Sequence, residues 1–435
     1  MRLVTALAAG TLSLALSACS AGSLGSSDDE GGGKAEITFL TNNDPSNVKV
    51  AEAVIAAFEA KNTDVDVKLD TRPQGSEGDN LVKTRLATGD MADVFEYNSG
   101  SLLQAIAPQT SLTPVTGEAW VGDLDPTFKQ VVSAGTDVYG SPWGAIVGGG
   151  IFYNKPLYTK LGLQVPKTWA EFMANNAKIK AAGVAPVEQT YSETWTSQIL
   201  VLADFHNVSA AQPDFAEKYT NNQAKFATTP RALAGFQHLE ELKKAGYWND
   251  DYASAKYNEG LNAVAVGKAG HYPMITFGVP ALDTAAPDNV NDVGFFALPG
   301  DDASKNGVTL WEPSGIYIPK STEGGELTAA KRFQAFIASP EGCAANASAA
   351  PVGGPFAVKT CKLPDTVATA VKDLSAYVDA GAASPALEFL SPIKGPALEQ
   401  ITVEVGSGIR GATDGAKLYD EDVKKQAQQL GIKGW

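Results

Sequence analysis

The chain has 435 residues, of which 44% are hydrophobic, and it carries 49 acidic against 34 basic side chains for a formal charge of −15. That apolar content can bury at least one large core, and ordinary domain sizes make two lobes the expectation. The acidic balance argues against holding nucleic acid through its phosphates, and His206, His238 and His271 are too scattered for the paired ligand spacing of a zinc site.

Arg2 followed by the apolar run Leu3 to Leu16 reads as a secretory leader, too short to span a bilayer as a stable helix and ending in small residues. Leu16-Ser17-Ala18-Cys19 resembles the bacterial lipobox, in which cleavage before the cysteine leaves it acylated at the mature N-terminus. Residues 1–18 are therefore expected to be a lipoprotein signal peptide. Residues 19–34, dominated by Gly, Ser and acids, cannot offset ordering entropy by burial and are expected to be a flexible tether. This places the body at the extracytoplasmic face of a cell membrane, held by lipid on Cys19, and a tether of that kind suits a single-membrane bacterium. No later run approaches the roughly 20 apolar residues of a transmembrane helix.

From Glu36 the pattern alternates. Ile37 to Leu40 reads as a strand, and Ala51, Val54, Ile55 and Phe58 make one apolar helix face. Val65, Val67 and Leu69 alternate as a second strand. Leu81 to Thr88 is a helix stopped by Gly89, and Asp93-Val94-Phe95 starts a third strand, giving the βαβαβ opening of a sheet with helical crossovers. Ala145 to Tyr153 is a strand softened by glycine, suited to a crossing between lobes. Lys155-Pro156 ends it, Leu157 to Leu161 is one short helical turn, and Thr168-Trp169-Ala170-Glu171 forms a capping box that opens a helix. Helical patterns run from Trp169 to Gly183, Pro230 to Gly246 and Tyr257 to Gly267. Strands are expected at Tyr272 to Phe277, Val293 to Leu298 and Gly315 to Ile318, a helix at Thr328 to Ala338, and a helical tail through Leu398, Ile401, Thr402 and Val405 to Val423–Leu430. Cys343 and Cys361 either close a disulfide, which an exported chain would permit, or stay as two buried free thiols.

Catalytic motifs fail on context. Gly406-Ser407-Gly408-Ile409-Arg410-Gly411 satisfies G-x-G-x-x-G, but a helical segment precedes it, and too little chain follows for the second strand a dinucleotide site requires. Gly267-Lys268-Ala269 lacks the hydroxyl of a phosphate loop, and Asn262 stands where its first glycine belongs. There is no G-x-S-x-G and no H-E-x-x-H. Paired carboxylates are too common in an acidic chain to exclude a glycoside hydrolase by counting, although repeated βα units around a barrel are not evident.

The string Tyr139 to Phe172, with Y-G-x-P-W, F-Y-N-K and G-L-x-x-P-x-T-W-x-E-F in order, resembles the family 1 extracellular solute-binding proteins that feed sugar-importing ABC transporters. Further matches follow the same order: Ile55 to Val67, Leu86 to Phe95, Gly267 to Met274 and Val293 to Gly300. The resemblance implies an α/β fold of two periplasmic-binding-protein-like lobes, each a mixed sheet flanked by helices. Their joints would lie near Trp143 to Gly150, Phe295 to Pro299 and Ala350 to Gly354. The expected division is 35–144 for lobe 1, 145–297 for lobe 2, 298–350 returning to lobe 1, and 351–435 for the C-terminal helices of lobe 2.

A sugar presents apolar C–H faces and a rim of hydroxyls, so aromatic faces and carboxylate or amide side chains are the groups to look for. After the first strand come Asn42, Asn43 and Asp44, and after the third Glu96, Tyr97 and Asn98, at the strand ends where open α/β sheets bind ligands. Each of Asn42, Asn43 and Asp44 serves equally as a turn or helix-cap residue. Trp143, Tyr191, Trp195, Phe277 and Trp311 are the candidate aromatics, against core packing as the ordinary role. By the resemblance, Tyr97, Trp195, Phe277 and Trp311 stack on sugar, Glu312 accepts from a hydroxyl, and Lys394 contacts sugar. Relatives often carry an acid in the strand crossing where this chain has Val147-Gly148-Gly149-Gly150, which leaves backbone groups or an empty subsite there. The expected function is capture of a mono- or oligosaccharide, without cofactor, by a monomer that presents it to ABC permease subunits. The competing readings are a surface glycoside hydrolase and a solute-binding protein for a non-sugar ligand.

Overall fold

A computed structural model describes residues 34–364 and 366–435. The expected leader, the acylated Cys19 and the tether up to residue 33 lie outside the described residues. The strands, in chain order, are β1 (Ala35–Asn42), β2 (Val65–Arg72), β3 (Val94–Tyr97), β4 (Ser133–Ala134), β5 (Asp137–Val138), β6 (Ser141–Trp143) and β7 (Val147–Asn154). They continue with β8 (Ala185–Val187), β9 (Ala269–Ile275), β10 (Val293–Ala297), β11 (Val308–Trp311), β12 (Ser314–Tyr317) and β13 (Ala383–Pro385).

Lobe 1 is built on the sheet β2-β1-β3-β12-β6, in which the first three strands are parallel and β12 runs antiparallel to β3 and β6. The anticipated βαβαβ opening is present, with helices Pro45–Lys61 and Gly75–Thr88 as its crossovers. The first buries the face of Ala51, Val54, Ile55 and Phe58. The Phe58 ring meets Phe333 edge-on at 5.1 Å, and Phe333 meets Phe39 of β1 at 5.4 Å. Gly89 ends the second helix in the left-handed conformation (φ 74°), which a side chain would strain.

Lobe 2 is built on β13-β11-β7-β9-β8, with β10 also on β7. β7 is central: β9 lies along one edge, while β10 and β11 succeed one another along the other. The Thr168–Glu171 capping box forms, and the helix it opens runs Trp169–Ala181. The glycines of β7 have a packing cause. A Cβ on Gly149 would strike the Trp311 indole, one on Gly148 would strike Leu374, and one on Gly150 would meet the Phe296 carbonyl. They admit large side chains onto a buried central strand; the reading of β7 as a crossing applies only to the residues before it.

The lobes are joined at Gly144–Ile146, at Glu312–Pro313 and beyond Cys361. Two expected boundaries move. β11 pairs with β7, so residues 298–311 stay with lobe 2 and the return falls after Trp311, away from Phe295 to Pro299. Residues 355–361 stay with lobe 1: Ala357 and Val358 enter its core, Asp125 N–H donates to Ala357 O (2.9 Å), and Lys359 N–H donates to Asp123 O (2.8 Å). Four-residue β11 shows no alternation strong enough to betray its sheet, and both shifts are set by pairing between distant segments.

Cys343, on the helix Pro340–Ala349, is disulfide-bonded to Cys361, 18 residues on. The bridge encloses the stretch in which Ile146 N–H donates to Pro355 O at 2.7 Å. Loop-closure entropy for a ring of this size is about 3 kcal/mol. The double substitution Cys343→Ser, Cys361→Ser is expected to lower unfolding free energy by about that amount in urea titrations, and reducing agent should then no longer affect the variant.

Candidate functional site

A cavity of about 630 Å³ lies between the lobes, floored by the joints at Gly144, Ala145 and Pro313. Its position follows from the topology: β1 and β3 are parallel, and both end at it, which gathers their following loops at one edge of lobe 1.

On the lobe 1 side, Asp44 is the N-cap of helix Pro45–Lys61, accepting from Ser46 N–H at 2.9 Å, with Pro45 fixing the first helical turn. Glu96 is braced from three directions: its carboxylate accepts from the Thr41 hydroxyl, from Asn42 N–H (3.1 Å) and from Asn42 Nδ2 (3.1 Å). Asn47 Nδ2 donates to Thr41 Oγ1 (2.6 Å), and its Oδ1 accepts from the Trp143 indole N–H (2.9 Å). Trp143 is thereby held in the floor, edge-on to Phe39 at 5.3 Å. Asn98 Nδ2 reaches Asp79 Oδ1 at 3.4 Å. Burial raises the Asp79 carboxyl above its ordinary range, against the pull of Arg72, Lys83 and Lys394.

On the lobe 2 side, Trp195 and Phe277 form an aromatic wall, backed by the fully buried Tyr257. Trp195 lies 5.2 Å from Tyr257 and 5.6 Å from Phe277, and Tyr257 and Phe277 are nearly parallel. Phe277 remains 40% exposed, unusual for a large apolar ring and explained by its place on the cavity. Farther along, the Trp311 indole donates to Glu388, whose other oxygen pairs with Lys394 Nζ at 2.9 Å. Glu312 sits at the joint itself. One of its oxygens is buried without a hydrogen-bond partner, and burial, with Asp125 adding a like charge, pushes its carboxyl up to about 8.

Of the residues singled out in the sequence, Asn42, Asp44, Glu96, Asn98, Trp143, Trp195, Phe277, Trp311, Glu312 and Lys394 line this cavity. Three do not. Tyr97 is fully buried in the core of lobe 1, so it offers no face for stacking. Tyr191 is buried in lobe 2 against Tyr252, with its ring end over Gly406. Asn43 is exposed outside the cavity, its N–H held by Arg72 O at 2.8 Å. Conversely, Asn47, Arg72, Asp79, Tyr257, Glu388 and Glu399 line the cavity and were not anticipated. Several lie inside helices, where only the packing of one lobe over the other reveals their exposure. The polar run Gly75-Ser76-Glu77-Gly78-Asp79-Asn80, a helix start with hardly any apolar stripe, was the available hint.

The lobes also touch around the rim: Asn258 Nδ2 donates to Asp44 Oδ2 at 3.3 Å, and Gln400 Nε2 to Ser76 Oγ at 3.4 Å. An aromatic wall opposite fixed carboxylates and amides suits a ligand with apolar faces edged by hydroxyls.

Comparison with known proteins agrees with this architecture. The family model for bacterial extracellular solute-binding proteins matches residues 44–342. The multiple sugar-binding protein of Streptococcus mutans is 26% identical over 336 residues, 75% of this chain and 76% of that protein. Among solved structures, a chitin oligosaccharide binding protein superposes with a TM-score of 0.76 at 20% identity, covering 91% of this chain and all of its own. The solute-binding protein RafE in complex with raffinose gives 0.75 at 20% identity, covering 90% and 100%. Both structures share the two-lobed fold.

The Glu312 carboxyl gives a test of the site's electrostatics. Because its folded value is raised from an ordinary 4.5 to about 8, its contribution to stability is fully present below 4.5 and is lost as pH rises through 8. Glu312→Gln should therefore flatten the fall in urea midpoint across that window. A residual slope should remain from Glu188, likewise pushed up to about 8 by burial.

Proposed function

The chain belongs to the bacterial extracellular solute-binding proteins, a family of binding proteins with an extracytoplasmic location, and we propose that it captures a sugar, specifically an oligosaccharide, between its lobes for an ABC permease. The observation that carries this reading is the division of labour across the cavity. Lobe 2 supplies the aromatic wall of Trp195 and Phe277, whereas lobe 1 supplies Asn42, Asp44, Glu96 and Asn98. A ligand stacked on the first reaches the second only when the lobes are together, so binding favours closure, and the closed form is what a permease can distinguish. The relatives that bind multiple sugars, chitin oligosaccharide and raffinose support a carbohydrate ligand. The cavity's volume of about 630 Å³ supports more than one ring.

In this reading the protein performs no chemistry on the sugar, works as a monomer and is tethered through acylated Cys19. Trp195, Phe277 and Trp311 stack on the ligand, Glu312 bonds a hydroxyl, and Lys394 acts by holding Glu388 in place as much as by direct contact. Glu96 takes its bonds from Thr41 and Asn42 on one oxygen, which fixes the Asn42 amide, while its other oxygen meets only Asn42 Nδ2 at 3.3 Å and is left to accept from a ligand hydroxyl.

Titration of the protein with raffinose, stachyose, melibiose and chitooligosaccharides, followed by tryptophan fluorescence and melting temperature, is expected to show a saturable response to one class with the sugar recovered unchanged. Product formation, or no response across the panel, would sink the proposal. Trp195→Ala should weaken the responding sugar roughly thirtyfold, as removal of a central aromatic anchor does, and should also lower the unliganded melting temperature because the ring packs on the lobe 2 core. In cells, Cys19→Ala is expected to move the protein from the membrane fraction to the medium.

A further inference from the structure

We infer that Phe389, a residue outside the ligand cavity, is a clasp that draws lobe 2 onto lobe 1 and thereby sets the affinity of the site. Phe389 lies on the short helix Leu387–Leu390 of lobe 2, yet its ring packs against the hydrophobic cores of both lobes. Its seat is Gly100, directly after β3 in lobe 1. A Cβ built there would lie 2.7 Å from the Glu388 carbonyl oxygen and 2.8 Å from Phe389 Cδ1. Gly100 also has φ +68°, so both the backbone shape and the space at this point admit only glycine.

Elsewhere on the rim the Trp195 ring lies beside Gly75, and the remaining contacts named above are polar. The Asn258–Asp44 and Gln400–Ser76 hydrogen bonds are long, at 3.3 and 3.4 Å, and the second is open to water, which competes for it. Phe389 instead removes apolar surface from water only when the lobes meet. The clasp is also wired to the site. Glu388, the preceding residue, lines the cavity and receives the Trp311 indole and the Lys394 ammonium, so a ligand bearing on these groups acts on the turn that carries the ring.

Apparent affinity scales with the fraction of molecules in the binding-competent arrangement. Loss of the ring should therefore weaken binding without removing a ligand contact. The test uses the full-length protein carrying donor and acceptor dyes, one on each lobe, with single-molecule energy transfer reporting the closed fraction without ligand. F389A is expected to lower that fraction about tenfold and to raise the Kd for raffinose by the same factor; F389L should recover most of both. G100A, which wedges the same contact from the other lobe, should reproduce F389A. A closed fraction in folded F389A within twofold of wild type, or one that rises, overturns the clasp. The affinity arm rests on the sugar-capture reading and the energy-transfer arm does not: a wild type that ignores every sugar defeats the former while the latter still decides the clasp.

Discussion

Two lobes on a single chain make one binding site only if their joints are held side by side, and the hydrogen bond from Ile146 N–H to Pro355 O does this. It ties the first passage between the lobes to the lobe 1 segment that leads to the last, with a β-bridge between Ala145 and Phe356 beside it. The middle passage is fixed to the same place, because the Ser99 hydroxyl donates to Pro313 O at 2.9 Å and β12 leaves directly into the lobe 1 sheet. The passages are thereby held side by side. Every feature of the cleft depends on that restriction: the aromatic wall can face the lobe 1 amides only if the lobes cannot slide or twist apart.

The polar groups of the cavity fall into two sets with different work. Glu388 has both oxygens committed to neighbours and Glu96 has one taken by Thr41 and Asn42, so they are rigid parts of the wall that orient Asn42, Trp311 and Lys394. Arg72 Nε, Trp195 Nε1, the Tyr257 hydroxyl and Glu312 Oε2 are buried without protein partners on residues that line the cavity. Unmatched buried donors and acceptors are costly. Here they comprise nitrogen donors, a hydroxyl and a carboxyl in one space, a mixture that a polyhydroxylated ligand can satisfy and an apolar one cannot. The saturated groups give shape, and the unsaturated groups give selectivity.

How much of this was legible in the sequence depended on whether a local rule or a distant pairing decided the outcome. The Thr168–Glu171 cap, the Gly89 stop and the apolar face of helix Pro45–Lys61 are local, and they form as expected. The loops after β1 and β3 were correctly placed at one end because parallel strands leave no alternative. Tyr97 failed for a specific reason. Every residue of β3 is buried because the strand is central and covered on both faces, so neither alternation nor proximity to the strand end distinguishes an outward ring from an inward one. Phe277 is the reverse case: it follows an equally buried strand, β9, yet its ring stays 40% exposed because Trp195 and Tyr257, brought from other segments, occupy the space behind it. Lobe membership of β11 was hidden similarly, its partner β7 lying far upstream.

The Cys343–Cys361 bridge also changes what a cut in the chain means. The intervening residues include the stretch that runs along the joint, and part of it is open to solvent, where proteases of the extracellular medium have access. A nick at any peptide bond between the two cysteines leaves the fragments covalently joined, with lobe 2's C-terminal helices still attached to lobe 1. The molecule is in this sense a ring at its most bent segment, and its two halves survive as one body a cleavage that would divide an unbridged chain.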